Sequence, residues 1–204
     1  PVEGAEHVVG RRVASLEQGA LALRNVDQRL AVRGGISNDL GNTGTPGVLQ
    51  DPATVTINVT SVNDAPVLAN LEASSLSYTE NAAPATVTAD ITVTDVDSAM
   101  LINATIQITS GYISGQDILS YDSTGTASIS GNFNAASATL TLSGSDSIAN
   151  YQAALRKVKY QNTSESPSTA SRTVSFQVSD GQGVNNLSNI ATRQIAITAV
   201  NDAP

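Results

Sequence analysis

The chain has 204 residues, with 10 Lys and Arg against 18 Asp and Glu, a formal net charge of −8 and a pI near 4.4. An acidic chain is a poor partner for nucleic acid or anionic lipid, and a chain with no cysteine has neither a disulfide nor a thiolate metal site, which leaves hard cations as the metal class. Charged residues make up 14% and aromatics 3%, while Ser, Thr, Asn, Gly and Val are abundant, a composition of many short strands joined by turns.

Taken from the N-terminus, residues 1–61 read as the C-terminal half of a preceding, degenerate repeat. The stretch beginning Ser15-Leu-Glu-Gln-Gly-Ala-Leu matches the stretch beginning Ser147-Ile-Ala-Asn-Tyr-Gln-Ala, with Ser, Ala, Leu, Arg and Val recurring in place. Val26 is thirteen residues from Asp39, whereas Val158 is twenty-two from Asp180, so the first copy has lost about one strand. A linker follows at 62–66, Val-Asn-Asp-Ala-Pro, and the same five residues recur at 200–204, a spacing of 138. Self-similarity at a fixed period is the signature of a tandem array. Residues 67–200 are therefore expected to be one complete repeat, with 201–204 starting the next linker.

Within that repeat, period-two alternation predicts half-buried strands. Residues 86–94 would bury Val87, Ala89, Ile91 and Val93, and residues 102–109 would bury Ile102, Ala104, Ile106 and Ile108. Further strands would bury Ala138, Leu140 and Leu142, then Val174, Phe176 and Val178, then Ile195, Ile197 and Ala199. Between them, Ile148, Tyr151, Leu155 and Val158 lie at helical spacing, with Ser145, Asp146 or Ser147 as N-cap. The expected fold class is all-β: a two-sheet sandwich of six or seven strands with one short helix across its edge. Tyr78, Tyr112, Tyr121, Tyr160, Phe133 and Phe176 are assigned to packing.

Carboxylates carry the candidate chemistry. Asn63-Asp64 in the linker, Asp95-Val-Asp97 after the 86–94 strand and Asp180-Gly181 before the last strand would meet at one pole of such a sandwich. Glu80-Asn81 and Asn201-Asp202 repeat the arrangement at the other pole, for the next unit along. Ca2+ takes six to eight oxygen ligands from carboxylates, carbonyls and water, and these groups offer that mixture without nitrogen or sulfur. Asn-Asp-Ala-Pro and Asp-Gly are also ordinary turn formers, and for Asp180 the turn and ligand readings weigh evenly. Asp117, Asp122 and Asp146 read as turns or caps.

A Glu in the first strand, Asp-x-Asp after the second and an Asn-Asp-x-Pro linker resemble the cadherin pattern, and VNDAP together with the helix resembles the cadherin-like tandem repeats of large bacterial surface proteins and adhesins. The resemblance covers residues 62–204. It implies a Greek-key, immunoglobulin-like sandwich, Ca2+ between repeats, and a place on the cell surface outside the cell. By motif position, Asn63, Asp64, Asp95 and Asp97 would be metal ligands at the first junction, and Glu80, Asn201 and Asp202 at the second. The linker has one acidic residue where cadherins have more, and no Asp-Arg-Glu triplet is present, so one or two ions per junction fit better than three.

Catalysis finds no support in the sequence. His7 is the single histidine and has no partner acid at recognisable spacing, and there is no cysteine nucleophile or Gly-rich phosphate loop. The expected function is a spacer or adhesion module whose junctions are stiffened by Ca2+. The alternatives are a carbohydrate-binding module and a strand-donating self-assembly module. Expected partners are neighbouring repeats of the same chain, a cell-surface or matrix ligand reached through other domains, and further copies of the protein. Nucleic acid and membrane insertion are not expected. No run of about eighteen apolar residues is present, and any secretion signal is expected to lie outside the fragment.

Overall fold

Alternating β-branched and polar residues form eleven strands and one helix among the residues that the computed structural model describes, 58–126 and 128–202. The first seven strands are β1 (Val67–Ala69), β2 (Leu76–Thr79), β3 (Ala85–Thr86), β4 (Thr92–Thr94), β5 (Met100–Ser110), β6 (Asp117–Tyr121) and β7 (Ser130–Asn134). Then come β8 (Thr139–Ser147), α1 (Ile148–Leu155), β9 (Val158–Asn162), β10 (Arg172–Ser179) and β11 (Ala191–Thr198). A six-stranded sheet runs β2-β11-β10-β5-β8-β7, a three-stranded sheet runs β3-β9-β6, and β1 pairs with β4. All pairs are antiparallel except β11 with β2.

The architecture is an all-β sandwich with one short helix, and its sheets do not close into a barrel. Ala104, Ile106 and Ile108 of β5, Leu140 and Leu142 of β8, and Val174, Phe176 and Val178 of β10 share one core with Leu119, Val158 and Tyr160 of the smaller sheet. Among the described residues its members run from Leu68 to Ile197. Tyr78 and Tyr160 meet edge to face with ring centroids 5.1 Å apart. The helix begins where Ser147 Oγ accepts a hydrogen bond from the Asn150 amide (3.2 Å), and it buries Tyr151, Ala154 and Leu155. Val158, expected to continue the helical face, instead opens β9 and is fully buried there. Tyr151 donates to the Gly144 carbonyl (2.6 Å), and burial first, then the Asp146 charge, pushes its phenol up to about 12. Gly144 sits at φ +136°, where a Cβ would run into the Ser128 carbonyl.

Three expected core residues are not in the core. The 86–94 run is not one strand: it is divided into β3, which pairs with β9, and β4, which pairs with β1. Between them Glu72 accepts hydrogen bonds from the Thr88 hydroxyl (2.6 Å) and the Ala89 amide (2.8 Å), and Thr88 Oγ1 accepts from the Ile91 amide (3.3 Å). These side-chain bonds replace the strand ladder, so Thr88 turns inward and Ala89 faces solvent. Ile102 is 44% exposed because the β5–β8 register shifts between Leu101 and Asn103, and Leu101 takes the buried place. Ala199 lies beyond the end of β11 and is exposed.

Asp117, read from sequence as a turn residue, is fully buried with Arg172. One oxygen accepts from the Ile113 amide (2.7 Å), as a turn carboxylate does, and the other from Tyr160 Oη (2.6 Å) and Asn162 Nδ2 (2.7 Å). Arg172 Nε lies 3.2 Å from Asp117 Oδ2, and its Nη1 donates to the Ser168 and Ala170 carbonyls. The pair thus joins β6, β9, β10 and the loop between β9 and β10. Deleting one partner leaves an uncompensated buried charge, so Asp117→Ala or Arg172→Ala is expected to cost about 3–5 kcal/mol in urea unfolding. A loss no larger than that of an exposed polar substitution would show that the pair does not matter to stability.

Candidate metal centre

The strand directions carry the sequence-nominated acids to two opposite ends of the sandwich. At the end where the chain enters, Asn63 is the fixed point. Its Nδ2 donates to Asp180 Oδ2 (2.9 Å), the Val184 carbonyl (3.0 Å) and the Asn185 carbonyl (3.2 Å), and its own carbonyl accepts from Asn185 Nδ2 (2.9 Å). The Asp64 amide donates to Asp97 Oδ2 (3.1 Å). Asp180 also accepts from Ser98 Oγ (3.3 Å) and the Gln182 amide (3.0 Å). Asn63, Asp64, Asp97 and Asp180 are therefore joined by direct contacts.

Asp95 joins this group through Asp97. Its Oδ1 accepts from the amides of Asp97 (3.1 Å) and Ser98 (2.9 Å), while Oδ2 is buried without a partner. Burial first, and then the neighbouring Asp97 carboxylate, raise its pKa above the ordinary 3.8 against the pull of the two amides. Amide and hydroxyl donors occupy Asp95 Oδ1, Asp97 Oδ2 and both Asp180 oxygens, so the arrangement is a hydrogen-bonded anchor for the linker in which one buried carboxylate oxygen, Asp95 Oδ2, has no partner.

The opposite end is more compact. Glu80 follows β2 and is 5% exposed. Its amide donates to the Thr198 carbonyl (2.9 Å), and its Oε2 accepts from the Val200 amide (2.7 Å), which fastens the departing linker. Its Oε1 is buried with no hydrogen-bond partner. Glu165, from the β9–β10 loop, accepts from Asn81 Nδ2 (3.0 Å), and Asn81 holds a left-handed backbone, φ 61°. Asp202 lies in the outgoing linker, where Asn201 Nδ2 donates to its carbonyl (3.0 Å). One carboxylate oxygen from each of Glu80, Glu165 and Asp202 lies within 4.8 Å of the other two. Among the described residues this is the group of three acids that comes so close.

Of the eight residues nominated from sequence, Glu80 and Asp202 thus converge at one end and Asn201 braces Asp202, while Asn63, Asp64, Asp95, Asp97 and Asp180 assemble at the other. Glu165 escaped the sequence reading because an acid in a Ser- and Pro-rich loop looks like an ordinary solvated turn. The signal that could have found it is positional: the β9–β10 loop must end at the same pole as Glu80. The set is all oxygen and carries formal charge −3, which suits a hard cation and excludes a soft one. No family model matches the chain, and no curated protein matches it.

The raised pKa of Asp95 has a definite sign. The folded protein binds that proton more tightly than the unfolded chain, so ionised Asp95 costs stability at neutral pH, and the cost disappears as pH falls through its folded pKa to 3.8. Asp95→Asn is therefore expected to raise the melting temperature in chelator at pH 7. The gain should shrink steadily toward pH 3.8 in a thermal series; a gain independent of pH would assign it to something other than the carboxylate charge.

Proposed function

We propose that the protein is a spacer or adhesion module of a repetitive extracellular surface protein, with a cadherin-like, immunoglobulin-type Greek-key fold, in which Ca2+ held at the junctions between repeats stiffens the array. The observation that supports this most strongly is the unpartnered, buried Oε1 of Glu80 beside Glu165 and Asp202. A buried carboxylate oxygen without a donor is costly, and a divalent cation both satisfies it and offsets the repulsion among three like charges. Carboxylates binding in one- or two-oxygen mode, with water, reach the six to eight oxygens that Ca2+ requires.

The mechanism follows from where the three acids are attached. Glu80 belongs to the body of the domain, Glu165 to a loop fastened to it by Asn81, and Asp202 to the outgoing linker. Without a cation, their repulsion drives Asp202 away and frees the linker beyond Val200, which the Glu80 carboxylate holds by its amide. With one, shared coordination holds the linker in one direction. The repeated VNDAP puts Asp202 in the place of Asp64 and Asn201 in the place of Asn63. A following repeat would then be gripped through Asn201 as the present one is gripped through Asn63, leaving the Asp free to face the cation of the repeat before. The carbohydrate-binding alternative has less behind it, because the large apolar side chains exposed among the described residues are aliphatic and none is an aromatic platform for a sugar face.

Calorimetric titration of the chain with CaCl2 is expected to show binding, and the melting temperature to rise with Ca2+, reaching about 2.7 kcal/mol of added stability at a hundredfold excess over Kd. Glu80→Gln keeps an acceptor for the Val200 amide but removes the charge, and with Glu165→Gln it should abolish the binding heat. Absence of heat in the parent protein, or full binding by Glu80→Gln, would overturn the assignment. For a protein of several such repeats, the radius of gyration from small-angle scattering should be larger in Ca2+ than in chelator.

A further inference from the structure

The first and last stretches of the sandwich lie side by side and run in the same direction, from the end where the chain enters to the end where it leaves. Between β2 and β11 the contact is a parallel ladder, residues 76–79 against 195–198. Before β2, side chains take the place of the ladder. Asn63 Nδ2 donates to the Asn185 carbonyl (3.2 Å), and Asn185 Nδ2 donates to the Asn63 carbonyl (2.9 Å). The Leu68 amide donates to Asn189 Oδ1 (2.8 Å) and Asn189 Nδ2 donates to the Leu68 carbonyl (3.0 Å), the two bonds that a neighbouring strand would make. Arg193 Nε donates to the Ser74 carbonyl (3.1 Å). After β2, the Glu80 amide donates to the Thr198 carbonyl (2.9 Å) and the Glu80 carboxylate accepts from the Val200 amide (2.7 Å). The partners stand 122, 121, 119 and 120 residues apart at Asn63, Leu68, Ser74 and Glu80, so the two stretches keep nearly one register from end to end.

We propose that this seam makes the domain a tension-bearing element, with Asn185, Asn189 and Arg193 as its side-chain rungs. Tension along the chain enters at one end of the seam and leaves at the other. It pulls the first stretch one way and the last stretch the opposite way, parallel to both, so the rungs are loaded together. In an antiparallel pair of end strands the chain would enter and leave at the same end, and the same pull would open the rungs one at a time. Closing the core does not require these side chains: the Asn63–Asn185 and Ser74–Arg193 bonds are exposed, where water would serve the same carbonyls, so what they add is resistance to sliding. The spacer role proposed above supplies the load, but the seam itself is made of hydrogen bonds that involve no cation.

The chain contains no cysteine, so pulling handles can be attached at chosen positions. In the 204-residue protein in EDTA, handles on Val59→Cys and Asn201→Cys load the seam along its length. Handles on Val59→Cys and Val184→Cys pull from the same end, one on each stretch, and open the seam rung by rung. Single-molecule pulling is expected to need a several-fold higher force in the first geometry. At constant force in that geometry, Asn189→Ala is expected to unfold about tenfold faster, because forced unfolding follows the unfolding rate and two hydrogen bonds have left its barrier. Asn132→Ala, on the β7 edge away from the seam, should leave the rate as it is. Equal forces in the two geometries, or an unchanged rate for Asn189→Ala, would overturn the proposal, and the comparison of geometries decides it even where Asn189→Ala does not fold. With EDTA present throughout, the seam and the cation site fail separately: a protein that binds no Ca2+ still resists the lengthwise pull.

Discussion

The Glu80 carboxylate is the constraint on which the outgoing end depends. One oxygen is spent on the Val200 amide, so the linker leaves β11 in a fixed direction, and the other is buried with nothing to accept from. Burying an acid this way is tolerable when something positive completes it, and Glu165 and Asp202 supply the remaining anionic oxygen around the same point. The parallel pairing of β2 with β11 makes this possible, since it brings the end of β2 beside the end of β11 and the linker that follows.

At the incoming end the same linker sequence behaves differently. Asn63, the Asp64 amide and their partners form a hydrogen-bonded anchor in which Asp95, Asp97 and Asp180 accept from amide and hydroxyl donors. In the array proposed above, one such linker would offer an amide clamp to the repeat after it and a carboxylate to the repeat before it. Each joint of such an array would be held from both sides.

The buried Asp117–Arg172 pair serves the same end from inside the sandwich. Arg172 takes the Ser168 and Ala170 carbonyls, and Asn162, which donates to Asp117, also accepts from the Ser164 amide (2.9 Å). Both ends of the loop bearing Glu165 are therefore tied to the core. A long polar loop would otherwise be among the least stable parts of the fold, and here its backbone carbonyls have buried donors.

The residue pattern by itself determined the class and much of the core. Alternation identified Ile106, Leu140, Val174, Phe176 and Ile195, because a pleated strand with one wet face leaves no other period, and the Ser147 cap announced the helix. The repeated linker also pointed to acids at both ends, since the same Asn-Asp pair stands at 63–64 and at 201–202. What only the tertiary structure decided were the interruptions and the convergences. Glu72, fourteen residues before Thr86, breaks the 86–94 strand by capturing Thr88 and Ala89, and a register shift trades Ile102 for Leu101. Glu165 meets Glu80 across eighty-five residues of chain, and Asp117 meets Arg172 across fifty-five. Local periodicity reports which face a residue takes. Which distant loop ends beside it is set by sheet order and register, and neither is written in the spacing of neighbours.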